Sequence, residues 1–202
     1  MTKIKLCGLS RPCDIEAVNE LKPDYVGFVF APESRRYVTY EKAEELKRRL
    51  SPEIRAVGVF VNELPQNVAR LLQNGIIDMA QLHGDEDEDY IAKLRLLTDK
   101  KIIRAFCIKT ADDIKIAVQS EADYILLDSG AGTGTVFDWG YVKSIGRPYF
   151  LAGGLDAGNA AGAVRALHPF AVDVSSGIET DGVKDKTKMA AFVAAVRKED
   201  RL

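Results

Sequence analysis

The chain is expected to be an α/β protein, a single (β/α)8 TIM barrel with parallel strands, and three observations predict it. Short runs rich in Val, Ile, Phe and Tyr alternate with longer amphipathic stretches from end to end. That alternation calls for parallel strands joined by right-handed crossovers. Eight such units fit in 202 residues, at about 25 residues each, near the compact end of the barrel's size range. No low-complexity segment or long linker interrupts them, so one barrel domain is expected over 1–202.

The expected strands are 4–7, 25–30, 56–60, 79–82, 102–106, 124–128, 149–151 and 171–174. The helices between and after them fall near 11–21, 40–50, 65–74, 87–97, 111–119, 138–144, 157–166 and 185–197. Ser10 stands as N-cap before Arg11-Pro12, with proline in its permissive first turn. Thr39, Thr110 and Asp156 are comparable caps. The segment 130–135 has the fewest structural signals and reads as a loop over the end of the sixth strand. The competing architecture is a doubly wound open sheet. Its GxGxxG after the first strand is missing, since Cys7-Gly8-Leu9-Ser10 does not supply it.

Composition narrows the partners. Lys and Arg number 28 against 30 Asp and Glu, a net charge of −2, and no basic block stands free of acids, so nucleic acid is not expected. No apolar run approaches the ~20 residues that span a bilayer, and the chain enters a strand at once without a secretory signal. Cys7, Cys13 and Cys107 are an odd number in a core-rich chain, which argues against a disulfide framework and for the cytoplasm. Two histidines without paired Cys or Cys/His spacing give no support to a metal site.

Chemistry collects at strand ends. Cys7 closes the first strand and Asp128 the sixth, at the carboxyl ends where barrel ligands sit. Lys5 and Cys7 share the strand face opposite Ile4 and Leu6, so both point into the barrel. A lysine there needs a partner. The last strand closes beside the first and offers Asp173, so a Lys5–Asp173 pair is expected beneath Cys7, with cationic surroundings favouring its thiolate. The bland alternatives are a small buried hydrophobe for Cys7 and a loop-capping carboxylate for Asp128.

Two loops suit an anion. Gly153-Gly154 after the seventh strand and Ser176-Gly177 after the eighth occupy the usual phosphate positions of this fold, although a lone Gly-Gly is otherwise a simple turn. Arg36, beside Arg35, is either a solvated surface charge or a bidentate clamp for a carboxylate. Gln81 and His83 end the fourth strand and are counted with the substrate-binding candidates. The bland reading of an isolated histidine such as His83 is a structural hydrogen bonder. His168 has no assigned role.

These motifs in order resemble the phosphoribosylanthranilate isomerase family over nearly the whole chain. They are Lys5-Leu6-Cys7-Gly8, Gly27-Phe28-Val29-Phe30 with Ser34 to Arg36, Val57-Gly58-Val59-Phe60, Gln81-Leu82-His83-Gly84 and Leu126-Leu127-Asp128. Then follow Gly132-Thr133-Gly134 with Phe137-Asp138-Trp139, Leu151-Ala152-Gly153-Gly154-Leu155, Asp173-Val174-Ser175-Ser176-Gly177 and Gly182-Val183-Lys184-Asp185. Two departures, Arg35 where relatives often carry proline and Ala131 for a loop glycine, leave the catalytic pair untouched.

The resemblance implies an Amadori rearrangement of N-(5′-phosphoribosyl)anthranilate in tryptophan biosynthesis, without metal or other cofactor. It implies Asp128 as general acid, Cys7 as general base, and Arg36 on the anthranilate carboxylate. It further implies Gly153, Gly154, Ser176 and Gly177 on the phosphate, with Gly132 among the substrate contacts. The partner is the small phosphorylated substrate, and the state is a monomer or homodimer. Three alternatives compete: a metal-dependent epimerase, whose ligand set two histidines cannot supply, an indole-forming synthase that Lys5 and Glu179 match only in part, and a silent barrel sensing a phosphorylated metabolite, against which only the Cys7/Asp128 pair speaks.

Overall fold

A computed structural model describes residues 1–128, 142 and 145–200. In chain order the elements are β1 (Lys3–Cys7), α1 (Pro12–Leu21), β2 (Tyr25–Val29), α2 (Tyr40–Arg49), β3 (Arg55–Phe60), α3 (Pro65–Gln73), β4 (Met79–Leu82) and α4 (Glu88–Arg95). Next come β5 (Lys101–Cys107), α5 (Ala111–Val118), β6 (Tyr124–Asp128), β7 (Tyr149–Leu151), α6 (Ala160–Leu167) and β8 (Ala171–Val174). A 3-10 turn (Ser176–Ile178), the strands β9 (Glu179–Thr180) and β10 (Val183–Lys184), and α7 (Lys186–Glu199) complete the chain. Of the expected helix 138–144 only Val142 is described, and the loop 130–135 lies outside the described residues.

The strands close in sequence order into an eight-stranded barrel, every neighbour parallel, with β1 pairing β8. At the closing seam Lys5 lies opposite Asp173, and on the other side of β1 Cys7 lies opposite Gly27. Alternation along each strand makes two cores. Ile4, Leu6, Val26, Phe28 and Phe60 pack outward on the helices. Tyr25, Val57, Met79, Ile103, Leu126 and Phe150 fill the lumen. Aromatic rings plug its amino end, with Tyr124 stacked on Phe170 at 4.9 Å between centroids and Phe150 tilted against Tyr25 at 5.6 Å.

A repeated device ties that end together. Asp24, Asp78 and Asp123 each directly precede an even-numbered strand or lie one residue before it, and each accepts a hydrogen bond from an early amide of the strand before. The donors are Ile4 at 3.0 Å, Ala56 at 2.7 Å and Ile102 at 2.9 Å. Each carboxylate also takes a lysine, respectively Lys3, Lys47 and Lys101. Strand-end amides have no ladder partner of their own, so these aspartates satisfy donors that burial would otherwise leave costly.

Two expected caps need correction. Asp14, not Ser10, organises the start of α1: its Oδ2 accepts from the amides of Ser10 and Arg11, and Arg11 is the capping position. A carboxylate accepts both amides at once and also takes the Arg11 guanidinium, which a hydroxyl at position 10 could not match. Asp156 closes a turn through the amides of Gly158 and Asn159, so α6 begins later, with Asn159 as cap. Thr39 does accept from the Lys42 amide, at 3.2 Å.

Candidate active site

The carboxyl ends of the strands bring the reactive side chains around one mouth. Cys7 is buried, 7% exposed, at the end of β1, against Val29 and Val59. Gly27 makes room for it: a methyl group there would stand 2.5 Å from Cys7 Sγ. One turn of the pleat below, Lys5 is fully buried and its Nζ donates to Asp173 Oδ2 at 2.7 Å. Burial opposes the Lys5 charge, but Asp173 and Cys7 together hold its pKa above the ordinary value.

The expectation for the thiol is corrected here. Burial is the largest influence on Cys7 and pushes it up, while Lys5 and Lys184 only partly pull it down. Cationic neighbours are present, but desolvation of the thiolate outweighs them.

Asp128 closes β6, with β7 and β8 standing between it and β1. His83, beyond the end of β4, faces it with Nε2 at 3.8 Å from Oδ2. Gln81 Nε2 donates to His83 Nδ1 at 2.8 Å, which puts the imidazole proton on Nε2, toward Asp128. Desolvation pulls the His83 pKa below the ordinary imidazole value and Asp128 pulls it back, although the side chain is 37% exposed. Gln81 is 1% exposed and its Oε1 has no hydrogen-bond partner among the described residues.

Arg36 leans over the mouth from the loop after β2. Its Nε and Nη2 form a bidentate pair with Glu179 at 2.6 and 2.8 Å, which orients Nη1. Glu179 Oε1 also accepts from Lys184 Nζ at 2.6 Å. Burial works against the Glu179 carboxylate, yet the two cations keep it below the usual range.

The two glycine-bearing loops touch. Gly153 and Gly154 both have positive φ, +85° and +64°, a backbone that side-chain-bearing residues rarely adopt. Gly177 packs so closely on the β7 loop that a methyl group would lie 2.0 Å from the Leu155 carbonyl oxygen. Ser176 opens the 3-10 turn. Gly132 lies outside the described residues. Sequence reasoning missed Glu179 and Lys184 as neighbours of the site. The signal that could have found them is a pair of opposite charges at the two ends of a six-residue hairpin, 179–184, directly before the Asp185 helix cap.

The family model for N-(5′-phosphoribosyl)anthranilate isomerase matches residues 4–195. The chain belongs to the phosphoribosylanthranilate isomerase family. Among its relatives, the N-(5′-phosphoribosyl)anthranilate isomerase of Endomicrobium trichonymphae is 42% identical over 202 residues, covering 98% of this chain and 99% of that one. Its counterpart in Thermoanaerobacter sp. (strain X514) is 44% identical over 204 residues, covering 98% of each. The crystal structure of the Thermotoga maritima phosphoribosylanthranilate isomerase superposes with a TM-score of 0.90 at 33% identity, over 98% of this chain and 100% of that one. A phosphoribosylanthranilate isomerase bound to reduced 1-(o-carboxyphenylamino)-1-deoxyribulose 5-phosphate gives 0.88, also at 33% and with the same coverage.

Proposed function

We infer that the protein catalyses the Amadori rearrangement of N-(5′-phosphoribosyl)anthranilate to 1-(2-carboxyphenylamino)-1-deoxyribulose 5-phosphate in tryptophan biosynthesis, with Cys7 and Asp128 as its base and acid. Membership of the isomerase family carries the reaction. The arrangement of a buried thiol and a strand-end carboxylate around one barrel mouth supports the assignment of roles.

Asp128 delivers a proton to the furanose ring oxygen, the C1–O bond breaks, and the nitrogen lone pair forms an iminium. That cation acidifies C2, and Cys7 takes its proton. The enolamine then moves a proton to C1 and becomes the ketone, so every atom of the substrate is retained. Each of the two positioned groups is worth about 10²–10⁴-fold.

Around them, the remaining Arg36 donors suit the anthranilate carboxylate, and Gly153, Gly154, Ser176 and Gly177 suit the phosphate. Gln81 Oε1, buried and unpartnered, is a ready acceptor for a sugar hydroxyl. His83 steadies the Asp128 side. The substrate stands as the small-molecule partner. The whole chain acts as one catalytic unit in the cytoplasm, as a monomer or homodimer; the Thermotoga maritima enzyme is described as dimeric.

The test is turnover of freshly generated substrate, followed as loss of anthranilate-type fluorescence, with and without a metal chelator. Cys7→Ser and Asp128→Asn should fold, bind the reduced product analogue, and lose about 10²-fold or more in kcat. Near-parent turnover in Cys7→Ala would remove Cys7 from the mechanism.

A further inference from the structure

Lys184 has no part in the steps above, yet it lies in the charge cluster beside Cys7. Its side chain is 3% exposed, more deeply buried than most lysines, which rarely bury fully unless paired. Nζ donates to Glu179 Oε1 at 2.6 Å, to the Ser175 carbonyl at 2.9 Å and to Ser175 Oγ at 3.3 Å. Ser175 Oγ in turn donates to the Cys7 carbonyl at 3.2 Å, so a single serine separates the ammonium from the backbone of Cys7. The Lys184 backbone is fixed as well, since Arg11 Nη2 donates to its carbonyl at 2.7 Å.

The charges around Cys7 do not balance without it. Lys5 from β1, Arg36 from the loop after β2 and Lys184 from β10 all act on the thiol. Asp173 from β8 and Glu179 beside it are the carboxylates that hold those cations. Three cations against two carboxylates leave one positive charge, and all of these side chains but Arg36 are 8% exposed or less, where unbalanced charge is costly. A thiolate at Cys7 closes that count.

We propose that Lys184 is a positioning residue for proton abstraction: its buried ammonium stabilises the thiolate of Cys7, and Glu179 limits how much of that charge Cys7 feels. This rests on Cys7 as the base. Because burial holds the thiol high, each cation beside it shifts the fraction available to take a proton.

The experiment is an ultraviolet thiolate titration in a Cys13→Ser/Cys107→Ser background, which leaves Cys7 as the sole thiol. Lys184→Met should raise the midpoint by about one pH unit, the lower end of a close charge effect. The acid limb of kcat/KM should move with it. Glu179→Gln should lower the midpoint, and Lys184→Arg should stay near the parent. A purely structural role would lower melting temperatures without shifts of opposite sign. If Lys184→Met does not fold, Glu179→Gln still carries the sign test. A midpoint unmoved by Glu179→Gln, or unmoved by a folded Lys184→Met, overturns the inference. That outcome leaves the base assignment standing, because turnover of Cys7→Ala tests it separately.

Discussion

Removing Lys5 from the barrel floor should be among the most damaging single changes in the chain. The Lys5 side chain is fully buried and that of Asp173 is 8% exposed, so solvent screens the pair little. Asp173 Oδ1 has no partner among the described residues, and Oδ2 is held by Lys5. Lys5→Met therefore strands a buried carboxylate with neither oxygen paired, which belongs at the upper end of the range for a broken buried pair, about 5 kcal/mol. Asp173→Asn is milder. Its amide oxygen still accepts from Nζ, and Cys7 remains a neighbour of the ammonium, so about 3 kcal/mol is expected. In a domain of this size 1 kcal/mol shifts Tm by about 2–4 °C, giving drops of about 10–20 °C and 6–12 °C. The double variant buries no unpaired charge and should recover part of the summed loss. Urea denaturation at pH 7, with thermal melts alongside, measures all four proteins. Losses that add to within about 0.5 kcal/mol would show that the two side chains are not coupled, and the polar floor would fail as a unit.

Gly27→Ala should leave the barrel folded but displace Cys7 Sγ, which would otherwise stand 2.5 Å from the new methyl, so kcat falls far more than stability in a parallel assay and melt. Gly177→Ala should instead destabilise, because the new methyl meets the Leu155 backbone oxygen at 2.0 Å; a variant with parent-like Tm would contradict this packing. Stability should fall on both sides of neutrality. His83, with its pKa lowered by burial, contributes stability that is complete above the ordinary imidazole value of about 6.5 and lost as the pH falls through its folded value. Lys5 and Cys7, both raised, contribute stability that is complete below their ordinary values and lost as the pH rises through the folded ones. Denaturation midpoints across pH check the shape, and loss of the acid shoulder in His83→Asn checks its cause.

Much of the fold was legible because a parallel barrel repeats one simple pattern. The runs 79–82, 124–128, 149–151 and 171–174 coincide with β4, β6, β7 and β8, since each apolar stretch is bounded by polar turns. Caps were harder. Ser10 and Asp156 both carry good capping chemistry, but which neighbour accepts the amides depends on how the chain turns, and sequence spacing cannot distinguish Ser10 from Asp14. The aspartates at 24, 78 and 123 were invisible for a related reason. Each bonds the preceding strand across an intervening helix, so the contact appears only once the barrel has closed.

The site shows the same division between what strand parity can reach and what loops conceal. Lys5, Cys7 and Asp173 follow from the two-residue alternation of β1 and β8 and the closure of the seam between them. Lys184 and Glu179 sit on a hairpin too short to carry a periodic signal, and their burial comes from folding back over the barrel mouth. Their charges matter because both side chains are buried. In water, a cation and a carboxylate at the surface would alter a neighbouring thiol little; at side-chain exposures of 3% and 7%, Lys184 and Glu179 become part of its environment. On the proposal above, the last hairpin of the chain adds to what Lys5 on its own strand does to Cys7. A substitution at position 179 or 184 would be expected to change the pH dependence of the reaction before it changes the fold.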